Sequence, residues 1–151
     1  MARVGEQDNQ RFPELGPPTQ IAAGVLFREI RLESPSDERI GTHKLYVYTP
    51  RGEHRENSLP CIFIAGGSSI PLTGTGLGPA DEPEHIPYVS AGFVVIGYEV
   101  DGYLPDPDRA TKQMILDAIK EYRAAEAGLV NAEQAIEFAL AKLPEVDANR
   151  L

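Results

Sequence analysis

A short apolar run that opens into a glycine-rich loop constrains the fold of this chain more than any other feature. Residues 59–78 read LPCIFIAGGSSIPLTGTGLG and contain five glycines. The β-prone run at 61–64 is bounded by Pro60 and Gly66, which is typical of a strand covered on both faces in a parallel sheet. Because ligands of such sheets bind beyond the carboxyl ends of the strands, the loop that follows is a candidate site.

The composition suits one globular domain and argues against several kinds of partner. A length of 151 residues with 42% hydrophobic content is enough for a single domain with a sizeable core. The net charge of -9 argues against a nucleic-acid or membrane surface, because both need clustered Lys and Arg. The single cysteine, Cys61, lies inside the apolar run, so we expect a core residue and no internal disulfide.

The N-terminal segment differs in composition from the rest of the chain. Residues 1–20 are polar and include Pro13, Pro17 and Pro18, which predicts a loosely docked arm before one domain over residues 21–151. The arm lacks the apolar centre of a signal peptide, and no run approaches the about 20 residues that cross a bilayer. We therefore expect a cytoplasmic protein, unless a targeting segment has been removed.

Two β-prone segments precede the central run. Residues 25–33 and 44–49 flank a loop rich in turn formers, which predicts an antiparallel pair. The second segment has a period of two, so that one of its faces should be less buried than the other. Its two alternating sets are Leu45, Val47 and Thr49, and Lys44, Tyr46 and Tyr48.

A second continuous apolar run, FVVIGYEV at 93–100, predicts a strand parallel to the central one. The loop that follows it contains Asp101 and Tyr103, which are candidates for the substrate side of a site at the same sheet edge. Between the two runs we expect one short helix at 84–90, stopped by Gly92.

Residues 109–143 are predicted to be helical. The spacing of Ile115, Ile119 and Tyr122 indicates a buried stripe. Gly128 should interrupt the helix, Asp108 is the expected N-cap and Pro144 should end the second segment. A long helix in such an alternation crosses back over the sheet, so a further strand is expected to begin near Leu151.

The order of these elements resembles the N-terminal half of the α/β-hydrolase fold, most closely the prolyl oligopeptidase and dienelactone hydrolase branch. The phrases that carry the resemblance are Ala-Gly-Gly-Ser after the first apolar strand, Gly-Tyr-Glu-Val-Asp-Gly at the second, and Val-Asp-Ala-Asn-Arg-Leu at 146–151. The resemblance covers residues 25–151. It implies an α/β fold with a partial hydrolase sheet, formed by an antiparallel N-terminal hairpin and two parallel strands, with a long helical crossover.

In that branch the loop after the strand analogous to 59–65 supplies an oxyanion-hole amide. Gly66, Gly67 and Ser68 match this loop, with Ala65 where histidine is common. The resemblance implies a serine-type hydrolase, an esterase or a peptidase, acting on a small ester or peptide substrate. Residues 146–151 resemble the phrase that leads into the nucleophile strand and its G-x-S-x-G elbow, which this sequence does not contain.

Most of the catalytic machinery is therefore missing from the sequence. Acyl transfer of this kind needs a serine on a strained turn, a histidine base and a carboxylate besides the amide donors. Ser68 approaches the elbow pattern but lacks its final glycine and the helix that should follow. The family's acid and histidine come after its serine, so His43, His54 and His85 do not match. We expect the chain alone to be inactive.

Neither a metal nor a cofactor is expected. His54 and Glu56 lie in a charged connection without a patterned third ligand, and a solvated loop explains them. The glycines at 74–78 resemble a phosphate-binding loop, but Pro79 follows them where a helix should open. We interpret this segment as a flexible lid.

Two functional hypotheses remain open. In the first, the chain is the N-terminal portion of a serine hydrolase, and it supplies the oxyanion-hole loop without nucleophile, acid or histidine. In the second, it is a non-catalytic interaction half or a truncated remnant. In the family's sheet order the strand at 59–65 is an exposed edge, which a missing C-terminal half or a second copy would cover.

Overall fold

A computed structural model describes residues 11–33, 42–67 and 72–151, which form a mixed sheet with helices on both faces. Ser68 and most of the expected hairpin loop lie outside these residues. The strands are β1 (Thr19–Ala22), β2 (Val25–Glu33), β3 (Thr42–Pro50), β4 (Cys61–Ala65) and β5 (Val94–Tyr98). The α-helices are α1 (Glu82–Ser90), α2 (Lys112–Ala124) and α3 (Leu129–Lys142).

The strand order is β1-β2-β3-β5-β4. Each neighbouring pair from β1 to β5 in this order is antiparallel, and the last pair, β5 with β4, is parallel. The predicted antiparallel pair and the predicted parallel pair are both confirmed. The sequence did not indicate β1, a four-residue strand with an irregular register against β2.

The sheet buries side chains on both faces, because α3 covers one face and α1 covers the other. Leu45, Val47 and Ile96 lie on the α3 side together with Phe138. Tyr46 and Tyr48 lie on the α1 side and are 6% and 0% exposed. The expectation of a less buried face on β3 is therefore wrong. The alternation is real, but α1 and the segment at 72–78 cover the second face.

The last strand in the sheet order of the described residues is β4, and its burial reflects this position. Cys61 is buried, as predicted, whereas positions 62–64 are half-buried and Ala65 is exposed. The C-terminal segment runs beside the beginning of β4 in the parallel sense. Val146 forms a bridge with Leu59, and the Cys61 amide donates to the carbonyl of Arg150 at 3.0 Å.

The helical region starts later than the sequence predicts. Asp108 belongs to a short 3-10 turn (Pro107–Arg109), and the N-cap of α2 is Thr111, whose hydroxyl accepts a hydrogen bond from the Met114 amide. The predicted interruption at Gly128 is confirmed. Its φ of 93° lies in the left-handed region, and a Cβ there would lie 3.0 Å from Val100.

The predicted stripe on α2 is also displaced, since Ala118 is the buried residue of this helix and Ile115 is 38% exposed. No helix among the described residues has the length and apolarity needed to cross a membrane.

Part of the segment that the sequence assigns to a loose arm packs on α3. Phe12 is 5% exposed and contacts Phe138 edge-to-face, with ring centroids 5.7 Å apart. Lys142 donates to the carboxylate of Glu14 at 2.8 Å. An aromatic contact and an ion pair therefore attach Phe12 and Glu14 to α3. Residues 1–10 lie outside the described chain.

The burial of Phe138 generates a prediction about stability. Phe138→Ala should lower the free energy of unfolding by about 3–5 kcal/mol, because it leaves a cavity between α3, the sheet and Phe12. The matched variant Leu140→Ala lies on the same helix but truncates a side chain that is 47% exposed, so it should cost less than about 0.5 kcal/mol. Urea unfolding measures both values, and equal losses would contradict the described orientation of α3.

Candidate functional site

The candidate site begins where β4 ends. The Gly66 amide donates to the carbonyl of Tyr98 at 3.2 Å, which extends the parallel ladder by one residue. Gly66 is half-buried and Gly67 is exposed. The loop therefore leaves the sheet between these two glycines, at the carboxyl end of β4.

A threonine side chain holds the peptide that joins the two glycines. The hydroxyl of Thr75 donates to the carbonyl of Gly66 at 2.9 Å. This peptide is trans, so the N–H of Gly67 points away from Thr75. Thr75 pairs with Val100 just beyond β5, and the N–H of Gly67 is therefore directed away from β5, toward the free edge of β4. Within the described residues this N–H has no hydrogen-bond partner.

The space around the two glycines differs. A Cβ on Gly66 would lie 3.1 Å from the carbonyl oxygen of Gly76 and 3.3 Å from the Cβ of Thr75, so a side chain would strain this contact. Among the described residues, a Cβ on Gly67 would meet nothing within 4 Å. Gly66 is thus closely packed, whereas no described residue crowds Gly67.

A buried carboxylate anchors the loop segment that carries Thr75. Glu99 follows β5 and is 9% exposed. It accepts hydrogen bonds from the amide of Leu77 at 3.0 Å and the amide of Lys44 at 2.7 Å, and the Lys44 ammonium lies 3.6 Å away. These donors compensate the buried charge. The segment is thus tied to the sheet, which contradicts the flexible lid expected from its glycines.

The two substrate-side candidates occupy different environments. Asp101 is 4% exposed, and its amide donates to the side-chain carbonyl of Asn131 at 3.2 Å, so it lies beneath the loop surface. Tyr103 is 49% exposed, and its ring packs so closely on Gly76 that a Cβ there would lie 2.6 Å from it. The structure therefore brings Tyr103, and not Asp101, to the surface beside the Thr75 segment.

The three histidines lie apart in the fold. His54 is exposed and lies 3.1 Å from the carbonyl of Pro50. His85, on α1, is buried and packs on the ring of Tyr48, with centroids 4.9 Å apart. His43, on β3, is also buried. None of them forms a hydrogen bond with Gly66 or Gly67 in the described part of the chain.

Burial also determines the chemistry of the ionisable groups. Desolvation lowers the pKa of His85 against the opposing effect of Asp81 and the neighbouring carboxylates, and it lowers the pKa of His43 against Asp101 and Glu99. Burial raises the pKa of the Cys61 thiol to about 12, so it is not a nucleophile near neutral pH. The described residues hold no cluster of three or more His, Cys, Asp or Glu side chains suited to a metal ion.

Sequence reasoning located the glycines but missed the residues that hold them. Thr75 gives no periodic signal, because it stands between two glycines in an irregular segment. Glu99 gave a usable signal, since a lone carboxylate at the end of an apolar run must be compensated where it is buried. Its partners, Leu77 and Lys44, come from segments distant in sequence and could not be identified from spacing.

Comparison with solved structures identifies similar folds. An acetyl xylan esterase from Paenibacillus sp. R4 matches with a TM-score of 0.62 and 18% identity, over 99% of this chain and 52% of its own. A cold-adapted esterase from an Arctic intertidal metagenomic library, in complex with PEG, matches with a TM-score of 0.53 and 16% identity, over 86% of this chain and 50% of its own. No protein-family model and no curated protein matches the chain.

These matches show the fold. The chain has a mixed α/β fold similar to that of the two esterases, and it spans about half of their length. Their low identity carries no residue roles to this chain, so the arrangement around Gly66 and Gly67 stands on its own geometry.

The buried histidines predict a loss of stability in acid. Because the folded-state pKa of His85 lies below its ordinary 6.5, the unfolded chain binds more protons as the pH falls below about 6.5, and the free energy of unfolding should decrease. His85→Leu should reduce this slope, by at most about 1.4 kcal/mol per pH unit. Urea unfolding at pH 7.5 and 5.5 measures the difference.

The matched variant for this experiment is His54→Gln, which replaces an exposed histidine and should keep the slope of the unmodified chain. Carboxylate titration contributes to the pH dependence of the unfolding free energy in all three proteins, so it cancels when their slopes are compared. An unchanged slope in His85→Leu would contradict the burial of a neutral imidazole at this position.

Proposed function

We propose that this chain is the N-terminal portion of a serine-type hydrolase and that it supplies an oxyanion-hole amide from Gly67. The observation that carries the proposal is the N–H of Gly67, which has no partner among the described residues and points to the free edge of β4. An ester substrate is favoured over a peptide because both matched structures are esterases. The order of elements favours the prolyl oligopeptidase and dienelactone hydrolase branch.

The chemistry follows from the position of this donor. When a serine hydroxyl attacks an ester carbonyl, its proton passes to a base and negative charge develops on the carbonyl oxygen. A fixed amide directed at that oxygen stabilises the transition state, and a donor of this kind contributes about 100- to 1000-fold in rate. Gly67 has the open space that such an oxygen requires.

The serine, histidine and carboxylate would come from a second segment. The sequence has no G-x-S-x-G elbow, and in the described residues no histidine is hydrogen-bonded to the loop. Val146 forms a parallel bridge with Leu59, and the turn at 147–150 brings the carbonyl of Arg150 to the Cys61 amide. A strand that starts after this turn and runs parallel to β4 would reach the end of β4 beside Gly67. A serine after that strand would lie on the side toward which the N–H points.

The same edge supports the second hypothesis, a half that pairs with another polypeptide. The amides of Ile62 and Ile64 face β5. Because successive amides of a strand point to opposite sides, those of Phe63 and Ala65 point to the outer side of β4. On that side the Cys61 amide already bonds to the C-terminal segment. The proposed occupant is a strand that runs parallel to β4 from the turn at 147–150 onward.

The function generates a prediction about activity. The isolated chain should neither react with a fluorophosphonate probe nor cleave p-nitrophenyl acetate, because it lacks a nucleophile and base. Stoichiometric labelling of Ser68 would contradict this.

The DNA after the codon for Leu151 should encode a strand and a G-x-S-x-G elbow, in frame or frameshifted, and an unrelated sequence there would argue against a truncated hydrolase.

In a protein that contains both segments, Gly67→Pro removes the amide donor and should lower kcat for p-nitrophenyl acetate about 100- to 1000-fold. The matched variant Gly67→Ala keeps the N–H and places its methyl group in open space, so it should stay within a fewfold of the unmodified enzyme. Equal losses in the two variants would exclude the amide as the cause.

The exposed edge generates a prediction about assembly. Size-exclusion chromatography with light scattering should show oligomers or poor solubility for the isolated chain, because no strand among the described residues covers the outer side of β4. Ala65→Pro removes an outward N–H without removing a β4–β5 hydrogen bond, and it should shift the chain toward the monomer. Ala65→Ser keeps that N–H and serves as the control. A clean monomer of the unmodified chain would count against an available edge.

A further inference from the structure

We propose that Thr75 is a positioning residue that fixes the direction of the Gly67 N–H. This inference rests on the proposed function, because it gives that N–H a role only as a donor to substrate. Its physical basis is the hydrogen bond of 2.9 Å from the Thr75 hydroxyl to the carbonyl of Gly66, which belongs to the same peptide unit as the Gly67 N–H.

The peptide between two glycines needs such a restraint. Without a Cβ on either side, its plane can rotate with little steric resistance. A rotation of about 180° would turn the carbonyl of Gly66 toward the edge of β4 and the N–H of Gly67 toward β5. An acceptor would then occupy the position of the donor, and the developing oxyanion would be repelled. No described residue lies within 4 Å of the position that a Cβ on Gly67 would take.

Thr75 is itself held firmly enough to act as a restraint. Its amide donates to the carbonyl of Val100 at 3.1 Å, and the Val100 amide donates back at 2.8 Å. Before Thr75 in the chain, the Gly74 amide donates to the carbonyl of Gly102 at 3.0 Å. After it, the Leu77 amide donates to the carboxylate of Glu99 at 3.0 Å. A β-branched side chain also has few rotamers, so the hydroxyl is directed by a fixed backbone.

The experiment separates this restraint from general packing by comparing Thr75→Val with Thr75→Ser. Valine keeps the shape and loses the hydroxyl, whereas serine keeps the hydroxyl and loses a methyl group. In the ¹⁵N-labelled chain of 151 residues, Thr75→Val should lower the order parameter of the Gly67 N–H from the rigid range toward about 0.6 or below, or give it relaxation dispersion. Thr75→Ser should retain the values of the unmodified chain.

Hydrogen exchange gives a second measurement that tolerates dilute samples. The Gly66 amide, which donates to Tyr98, should exchange about fivefold faster in Thr75→Val and unchanged in Thr75→Ser. Unchanged exchange at Gly66 together with an unchanged Gly67 vector in Thr75→Val would overturn the proposal. Equally faster exchange at Gly66, or an equal loss of order at Gly67, in Thr75→Ser would also overturn the proposal, because it would assign the effect to packing.

The outcome is distinguishable from failure of the proposed function. In a protein that contains the nucleophile segment, Thr75→Val should lower kcat about tenfold or more with KM nearly unchanged, and Thr75→Ser should restore it. If Gly67→Pro leaves kcat unchanged, the amide has no catalytic role, and the positioning role fails with it even where the order parameters change. If Gly67→Pro lowers kcat and Thr75→Val does not, the function stands and Thr75 is dispensable.

Discussion

The central strand β5 is the constraint on which the rest of the structure depends. Its neighbours are β3 on one side and β4 on the other, and Val94, Val95 and Ile96 are fully buried. Consecutive buried residues on a strand point to opposite faces, so both faces must be covered. This requirement places α1 on one face and α3 on the other. Because β4 and β5 are parallel, their carboxyl ends meet at one edge, and the Gly66 loop and the Thr75 segment meet there too.

Glu99 connects this arrangement to the site. A buried carboxylate is costly unless donors compensate it, and here two backbone amides and the Lys44 ammonium do so. The donors come from β3 and from the segment at 72–78, so the charge can be satisfied only when both are in place. The segment that carries Thr75 is therefore tied to the folding of the sheet, which explains how a glycine-rich stretch acquires a fixed conformation.

The sequence predicted the elements whose signals are local. The runs that form β4 and β5 were located within two residues of their observed ends, and the break at Gly128 was confirmed. Contacts between distant segments were not predictable. Phe12 packs on Phe138 across most of the chain, and Tyr48 is buried because α1 covers a face that alternation alone cannot assign. The short strand β1 exists because β2 offers it a partner and Ile21 and Ala22 pack on the core.

The candidate site shows the same difference between local signals and contacts of distant segments. Resemblance to a hydrolase loop pointed to Gly66 and Gly67, because glycines at a strand end are visible in sequence. The direction of the Gly67 N–H was not visible, since the carbonyl of the same peptide, on Gly66, accepts from a hydroxyl nine residues away in an irregular segment. Asp101 follows β5 and is buried, with its amide bonded to the side chain of Asn131. Its predicted place on the substrate side stays a prediction.

One physical argument links the proposed chemistry to the proposed partner. An amide donor stabilises an oxyanion strongly only where water is excluded, because water competes for both groups and screens their charges. Gly67 is exposed in this chain, and its N–H points to the outer side of β4, toward which the amides of Phe63 and Ala65 also point. No strand among the described residues pairs with this side. A strand added there would satisfy the edge and remove water from beside the donor in the same step. Assembly and catalysis would thus require the same partner, and the donor would reach its full effect only in the completed sheet.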